Sequence, residues 1–155
     1  MTSGNSTDSW ATATVEIAIQ REIDFVFGFV CNPENDPKWM PKLGPGRKIS
    51  VGPIARGTRF HQSVVLLGVL TDVEWMVTEF VANRRVAGAS IAGPITFSGG
   101  YEFEQTKGAV RMSKFGKVRL PKLMALMPQR VANALLADEF QGAVGRLKLL
   151  LERRN

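Results

Sequence analysis

Leu120 to Asn155 reads LPKLMALMPQRVANALLADEFQGAVGRLKLLLERRN, and the spacing of its apolar residues decides the fold. Leu136, Phe140, Ala143, Val144, Leu147, Leu150 and Leu151 recur at steps of three and four, which puts them on one face of a long helix. Leu123, Leu126, Met127 and Val131 feed that stripe from its N-terminal side. Pro121 is tolerated in a first turn, whereas Pro128 predicts a kink or break at Met127. A helix with such a face must lie on something apolar. Its available partner is the run of strand-like segments before it. A curved sheet gripping one long helix leaves a cavity between the two, and a concave apolar space is where a small molecule binds.

Working outward from the helix, residues 12–20 alternate, with Val15, Ile17 and Ile19 set against Glu16, Ala18 and Gln20. That pattern is a half-buried strand. Glu22 to Val30 turns helical, with Ile23, Val26, Phe27 and Val30 on one side. Asn32-Pro33 and Asp36-Pro37 break the pattern into a short second helix that carries Trp39. A loop through Pro41, Gly44, Pro45 and Gly46 leads to a strand of about six residues near Lys48. Thr58–Leu67, Leu70–Val81, Arg85–Ile91, Ile95–Glu104 and Ala109–Val118 read as five further strands, separated by turns at Gly68, Asn83-Arg84, Gly93-Pro94 and Lys107-Gly108. The order is strand, two short helices, six strands, long helix. It predicts an α+β domain in which a curved antiparallel sheet of about seven strands wraps the C-terminal helix. Residues 1–11 read as a disordered polar terminus and 12–153 as a single domain, with no repeat.

At 155 residues, 45% apolar and 22% charged, the composition is that of one ordinary globular domain. The single cysteine, Cys31, excludes an intramolecular disulfide and suits a reducing compartment. Set among Phe27, Phe29 and Val30, it reads as a buried, inert thiol. The first eleven residues lack the apolar core of a signal peptide, and Val64–Leu70 is far too short to span a membrane, so a cytoplasmic location is expected. The net charge of +6 is uneven: residues 105–155 hold 11 Lys/Arg against 3 Asp/Glu. Lys114, Lys117, Arg119 and Lys122 form the densest group. Interspersed rather than clustered with aromatics, these cations read as a solvated face. An anionic partner stays open, but a nucleic acid is not expected.

The apolar helix entry, Ile23 to Phe29, and the segment Asn32-Pro33-Glu34-Asn35-Asp36-Pro37-Lys38-Trp39 begin a recognisable series. It continues with Gly57-Thr58-Arg59-Phe60, Val77-Thr78-Glu79-Phe80, Arg84-Arg85-Val86 and Phe97-Ser98-Gly99-Gly100-Tyr101-Glu102-Phe103-Glu104. It ends on Leu147-Lys148-Leu149-Leu150-Leu151-Glu152. In this order and spacing, over residues 12–153, the chain resembles the START-like superfamily (SRPBCC, the helix-grip fold), and within it the polyketide cyclase/dehydrase-type branch. The resemblance implies a hydrophobic-ligand cavity between sheet and terminal helix. It leaves two functions open. One is a cyclase- or dehydratase-like lyase or isomerase working without metal; the other is a non-catalytic carrier or sensor of a lipid-like ligand. No catalytic residue transfers by position.

With one histidine and one cysteine, a multi-histidine or cysteine-cluster metal centre is excluded, and no cofactor is expected. Alternation puts Thr58, Phe60, Gln62 and Val64 on the inward face of their strand and turns His61 to solvent. In the next strand Val73, Trp75, Val77 and Glu79 share the inward face. There Glu79 is either an acid/base group with a raised pKa or a strand-end carboxylate paired with Arg84 or Arg85. Tyr101 shares a face with Phe97, Gly99 and Phe103. Like Gln62, it could donate to a ligand carbonyl, or it could simply pack. Glu79, Tyr101 and Gln62 are therefore the catalytic candidates. Met112, Leu136, Phe140 and Val144 complete the expected wall, and Met127 lies at an adaptable rim. Trp39 is either an entrance residue or an anchor. The apolar Val64–Leu70 tip suggests a contact with a second copy, another partner or a membrane surface.

Overall fold

The computed structural model describes residues 9–153, apart from Leu67 and the side chain of Leu66. Its strands are β1 (Trp10–Ile19), β2 (Arg47–Lys48), β3 (Arg59–Leu66), β4 (Val69–Val81), β5 (Arg85–Ala92), β6 (Phe97–Thr106) and β7 (Ala109–Arg119). They form one seven-stranded antiparallel sheet in the order β1-β7-β6-β5-β4-β3-β2. Two helices, α1 (Ile23–Val30) and α2 (Gln129–Glu152), and the 3-10 turn Pro33–Lys38 cover its inner side. This is the helix-grip α+β fold. β1 starts ahead of the expected residue 12, and β2 is much shorter than six residues because Ile49 to Gly57 leave the ladder.

Period-two burial identifies the inner face. Ala11, Val15 and Ile19 of β1 are buried, and they stand on the same side as Val110, Met112 and Lys114 of β7 and Tyr101 and Phe103 of β6. Gly99 and Gly100 let the neighbouring strands approach β6 closely, since a Cβ on Gly100 would meet the Val86 carbonyl at 2.1 Å. Against this face pack Val26, Phe27 and Val30 of α1 and Ala143, Val144, Leu147 and Leu151 of α2, forming one continuous core. Fully burying each of these large side chains contributes about 1.5–3 kcal/mol. The stripe read from the sequence is the face α2 buries.

The helix does not begin where the sequence reading put it. Pro121 precedes a 3-10 turn, Lys122–Met124, and α2 starts only after Pro128, whose extended ψ of 141° cannot continue a helix. The break falls at Met127, as the proline predicts. In consequence Leu123 and Leu126 are solvent-exposed rather than part of the stripe. Backbone-directed hydrogen bonds clamp α2 along β1: Asn133 Oδ1 accepts from the Thr12 N–H at 2.8 Å, and Lys148 Nζ donates to the Ala18 carbonyl at 2.6 Å.

Candidate functional site

The inner face carries one group of buried polar side chains. Asp36 closes in from the 3-10 turn, where Asn32 caps the N-terminus by accepting from the Glu34 N–H at 3.1 Å. Gln62 Nε2 donates to Asp36 Oδ2 and to the Gly44 carbonyl, both at 2.8 Å, while Gln62 Oε1 accepts from Trp75 Nε1 at 2.9 Å. One amide thus ties β3, β4, the 3-10 turn and the following loop together. The Trp75 indole stacks on Phe60 at 4.7 Å and lies over Gly88, where a Cβ would come within 2.9 Å of the ring.

Deeper in, Lys114 of β7 projects inward between Met112 and Gly116. Its Nζ donates to the Tyr101 hydroxyl at 3.3 Å and toward Met40 Sδ at 3.7 Å. It also lies 4.4 Å from the Phe140 ring centroid, 4.8 Å from that of Tyr101 and 5.6 Å from that of Trp39. Among the described residues no carboxylate forms an ion pair with it. Trp39 is fully buried and its Nε1 has no hydrogen-bond partner. Arg146 of α2 donates to the Trp39 carbonyl at 2.9 Å, and Lys42 pairs with Glu139 of α2 at 3.1 Å, so the 39–42 segment is strapped onto the helix.

Burial sets the electrostatics. It pushes the Asp36 carboxyl up to about 7, against the opposing Gln62 hydrogen bond and Lys114 charge. It pulls Lys114 down to about 8, against the charges of Asp36 and Glu139. Tyr101 is pushed well above its ordinary value by burial, then by Asp36 and Cys31. Burial and Asp36 also push the Cys31 thiol up to about 12, so it is not a ready nucleophile. Two acids and a base of altered strength therefore share one cluster on the inner face, an arrangement suited to orienting or polarising a carbonyl.

The sequence-derived candidates divide into groups. Trp39, Tyr101, Met112, Phe140 and Val144 meet in the core cluster around Lys114. Phe60, Gln62, Trp75 and Val77 gather beside it on β3 and β4. Leu136 is half-buried on α2, and Met127 is half-buried ahead of the helix, outside the cluster. Trp39 stands at the end of the 3-10 turn rather than on a helix, and its full burial makes it an anchor.

Glu79 does not share Trp75's face. Val77 pairs with Gly88 and Glu79 with Ala87, so Thr78 is an extra residue that flips the parity. Glu79 lands on the outer face, where it accepts from Arg85 at 2.6 Å; Arg85 also pairs with Glu102 at 2.7 Å. His61 is likewise on the outer face, 3.8 Å from Asp72. Sequence reasoning missed Asp36 and Lys114. The second had a visible signal, since Lys114 keeps step with Val110 and Met112, but it was counted in the basic surface group. Lys117 and Arg119 of that group cover the Trp10 ring, so the four cations form no continuous patch.

Two openings are notable. A cleft of about 380 Å³ between α1 and the loop after β2 is lined by Phe27, Cys31, Ile54, Phe60 and Phe80, with Glu34 and Lys48 at its rim. A wider depression of about 560 Å³ lies on the outer face by Thr12, Thr14, Glu79, Arg85 and Phe115.

The fold is START-like, of the helix-grip type. A START superfamily protein from Mycobacterium smegmatis superposes with a TM-score of 0.75 at 11% identity, over 91% of this chain and 97% of that one. The di-domain ARO/CYC StfQ from the steffimycin biosynthetic pathway gives 0.70 at 9% identity, over 91% of this chain and 50% of its own. Ara h 8.0201 gives 0.62 at 16% identity, over 90% and 96%. At these identities the likeness is one of fold. No family model and no curated protein matches the sequence. No helix of the described residues is long and apolar enough to cross a membrane.

Proposed function

We propose that the protein binds a hydrophobic or aromatic small molecule on the inner face of the sheet, against Phe60, Trp75, Tyr101 and Phe140. The observation that carries this reading is the convergence of Lys114, Tyr101, Asp36 and Gln62 in an otherwise apolar interior. Burying such groups opposes folding unless they are fully paired, so their presence argues for recognition of something else. The cleft by Phe27, Phe60 and Phe80 falls within the usual size range of ligand pockets, about 300–1,000 Å³, and supports an approach from that side. Native mass spectrometry of protein purified from its own host tests the reading: a co-purified small molecule is expected, and persistent apo protein would count against it.

A second reading, a cyclase- or dehydratase-like reaction, is favoured by the 3.3 Å contact of Lys114 with Tyr101. That pair could polarise a ligand carbonyl and return a proton to it, with Gln62 and Asp36 orienting the ring system. Turnover lost in Tyr101→Phe with binding retained would select it over a carrier role.

The β3–β4 hairpin also supports contact with a second copy of the chain, since Val69 and Leu70 are 61% and 70% exposed. Leu67 and the Leu66 side chain, part of that expectation, lie outside the described residues. Light scattering at high concentration would detect the dimer.

A further inference from the structure

We infer that the ligand carries an anionic oxygen, a carboxylate or its equivalent, which seats on Lys114 in the place now held by the sulfur of Met40. The inference rests on the ligand-binding reading and names the chemistry of that site.

The argument starts from an ammonium that is nine-tenths buried and poorly satisfied. A lysine head has three donors, and here they find one hydroxyl at 3.3 Å and one thioether at 3.7 Å. A thioether is a weak acceptor. The faces of Trp39, Tyr101 and Phe140 supply cation–π attraction, but a ring gives no lone pair. A second orphan donor, Trp39 Nε1, belongs to the same cluster. The cluster thus holds a surplus of donors and positive charge, which an oxyanion would match.

Met40 is the movable part. It is half-buried, its sulfur lies 3.7 Å from Lys114 Nζ and 4.0 Å from the Tyr101 hydroxyl, and its unbranched chain can swing aside at the loss of only these two weak thioether hydrogen bonds. It sits in the 39–42 strap, beside the buried amine. An oxyanion in its place would take hydrogen bonds from Lys114 and Tyr101 together, while the aromatic walls receive the apolar body.

The charged and titratable groups around Lys114 are Tyr101 from β6, Asp36 from the 3-10 turn, Cys31 at the end of α1, and Glu139 and Arg146 from α2. Glu139 is already paired with Lys42. Asp36 is the competitor: ionised, it offsets the lysine charge and repels the ligand. Its carboxyl titrates at about 7 and the amine at about 8, so the site is most cationic on the acid side of neutrality.

A matched pair of probes tests this: 1-naphthaleneacetic acid and 1-naphthaleneethanol, which differ in charge but little in shape, measured by isothermal titration calorimetry. The acid is expected to bind at least about tenfold tighter near pH 6, with the preference fading by about pH 9. Lys114→Met should abolish the preference, so that the acid binds no tighter than the alcohol at either pH. Replacing a buried charge by an apolar side chain of like length is tolerated by the fold, and the wild-type pH series stands whatever the variant does. Equal binding of both probes, or a preference surviving in Lys114→Met, overturns the inference and leaves the ligand-binding reading standing. Failure of both probes to bind overturns both.

Discussion

The Nζ of Lys114 stands 3.3 Å from the Tyr101 hydroxyl, on neighbouring strands in direct register, with three aromatic rings around the amine, that of Tyr101 among them. An ammonium in such surroundings opposes folding unless a partner stabilises it. Stability and ligand recognition are therefore read from the same side chains.

The first consequence is a pH-dependent stability. Asp36 has a folded pKa of about 7 against an ordinary 3.8, so its favourable contribution is complete below pH 3.8 and is lost as pH rises through 7. Lys114 has a folded pKa of about 8 against 10.5, so its contribution is complete above 10.5 and is lost as pH falls through 8. Between pH 4 and 7 stability should fall, by up to about 1.4 kcal/mol per pH unit. Asp36→Asn should flatten that limb in urea titrations. An unchanged slope in the variant would assign the effect elsewhere.

Gln62 holds three partners, so its loss is costly. Gln62→Leu leaves the Trp75 N–H and the Asp36 carboxyl without their partner, which should cost about 1–3 kcal/mol for each buried group. Chemical denaturation reads the sum, and a loss below about 0.5 kcal/mol would mean the groups find water instead.

Trp39 is an anchor whose removal empties the centre of the core. Trp39→Ala should destabilise by about 3–5 kcal/mol, read from the denaturation midpoint. A near-neutral result would contradict its burial.

Glu79 is a control. Its pair with Arg85 is half-exposed, so Glu79→Gln should cost about 0–1 kcal/mol and leave ligand affinity unchanged. Loss of affinity or turnover in this variant would return Glu79 to the site as its acid/base candidate.

Much of the architecture was legible because alternation and the helical stripe are local signals. Val15, Ile17 and Ile19, or Leu147 and Leu151, announce their faces by spacing alone. Parity counting failed at Glu79, because a single extra residue at Thr78 flips everything beyond it and no residue type in that stretch marks a bulge. The helix start failed for a similar reason, since Pro121 and Pro128 each fit a first turn or a stop. Lys114 was readable by parity and was masked by a prior that lysines face water. Asp36 was not readable, because its burial depends on Gln62, 26 residues away in the chain.

The central claim is that a ligand lies on the inner face beside Lys114, and methionine methyl NMR tests it most directly. Met40 and Met112 flank the lysine site, whereas Met76 is on the outer face and Met124 precedes α2. Titrating ¹³C-methyl-methionine protein with 1-naphthaleneacetic acid should shift Met40 and Met112 and leave Met76 and Met124 in place. Shifts at Met76, with Met40 and Met112 unmoved, would put the ligand on the outer face of the sheet and contradict this placement.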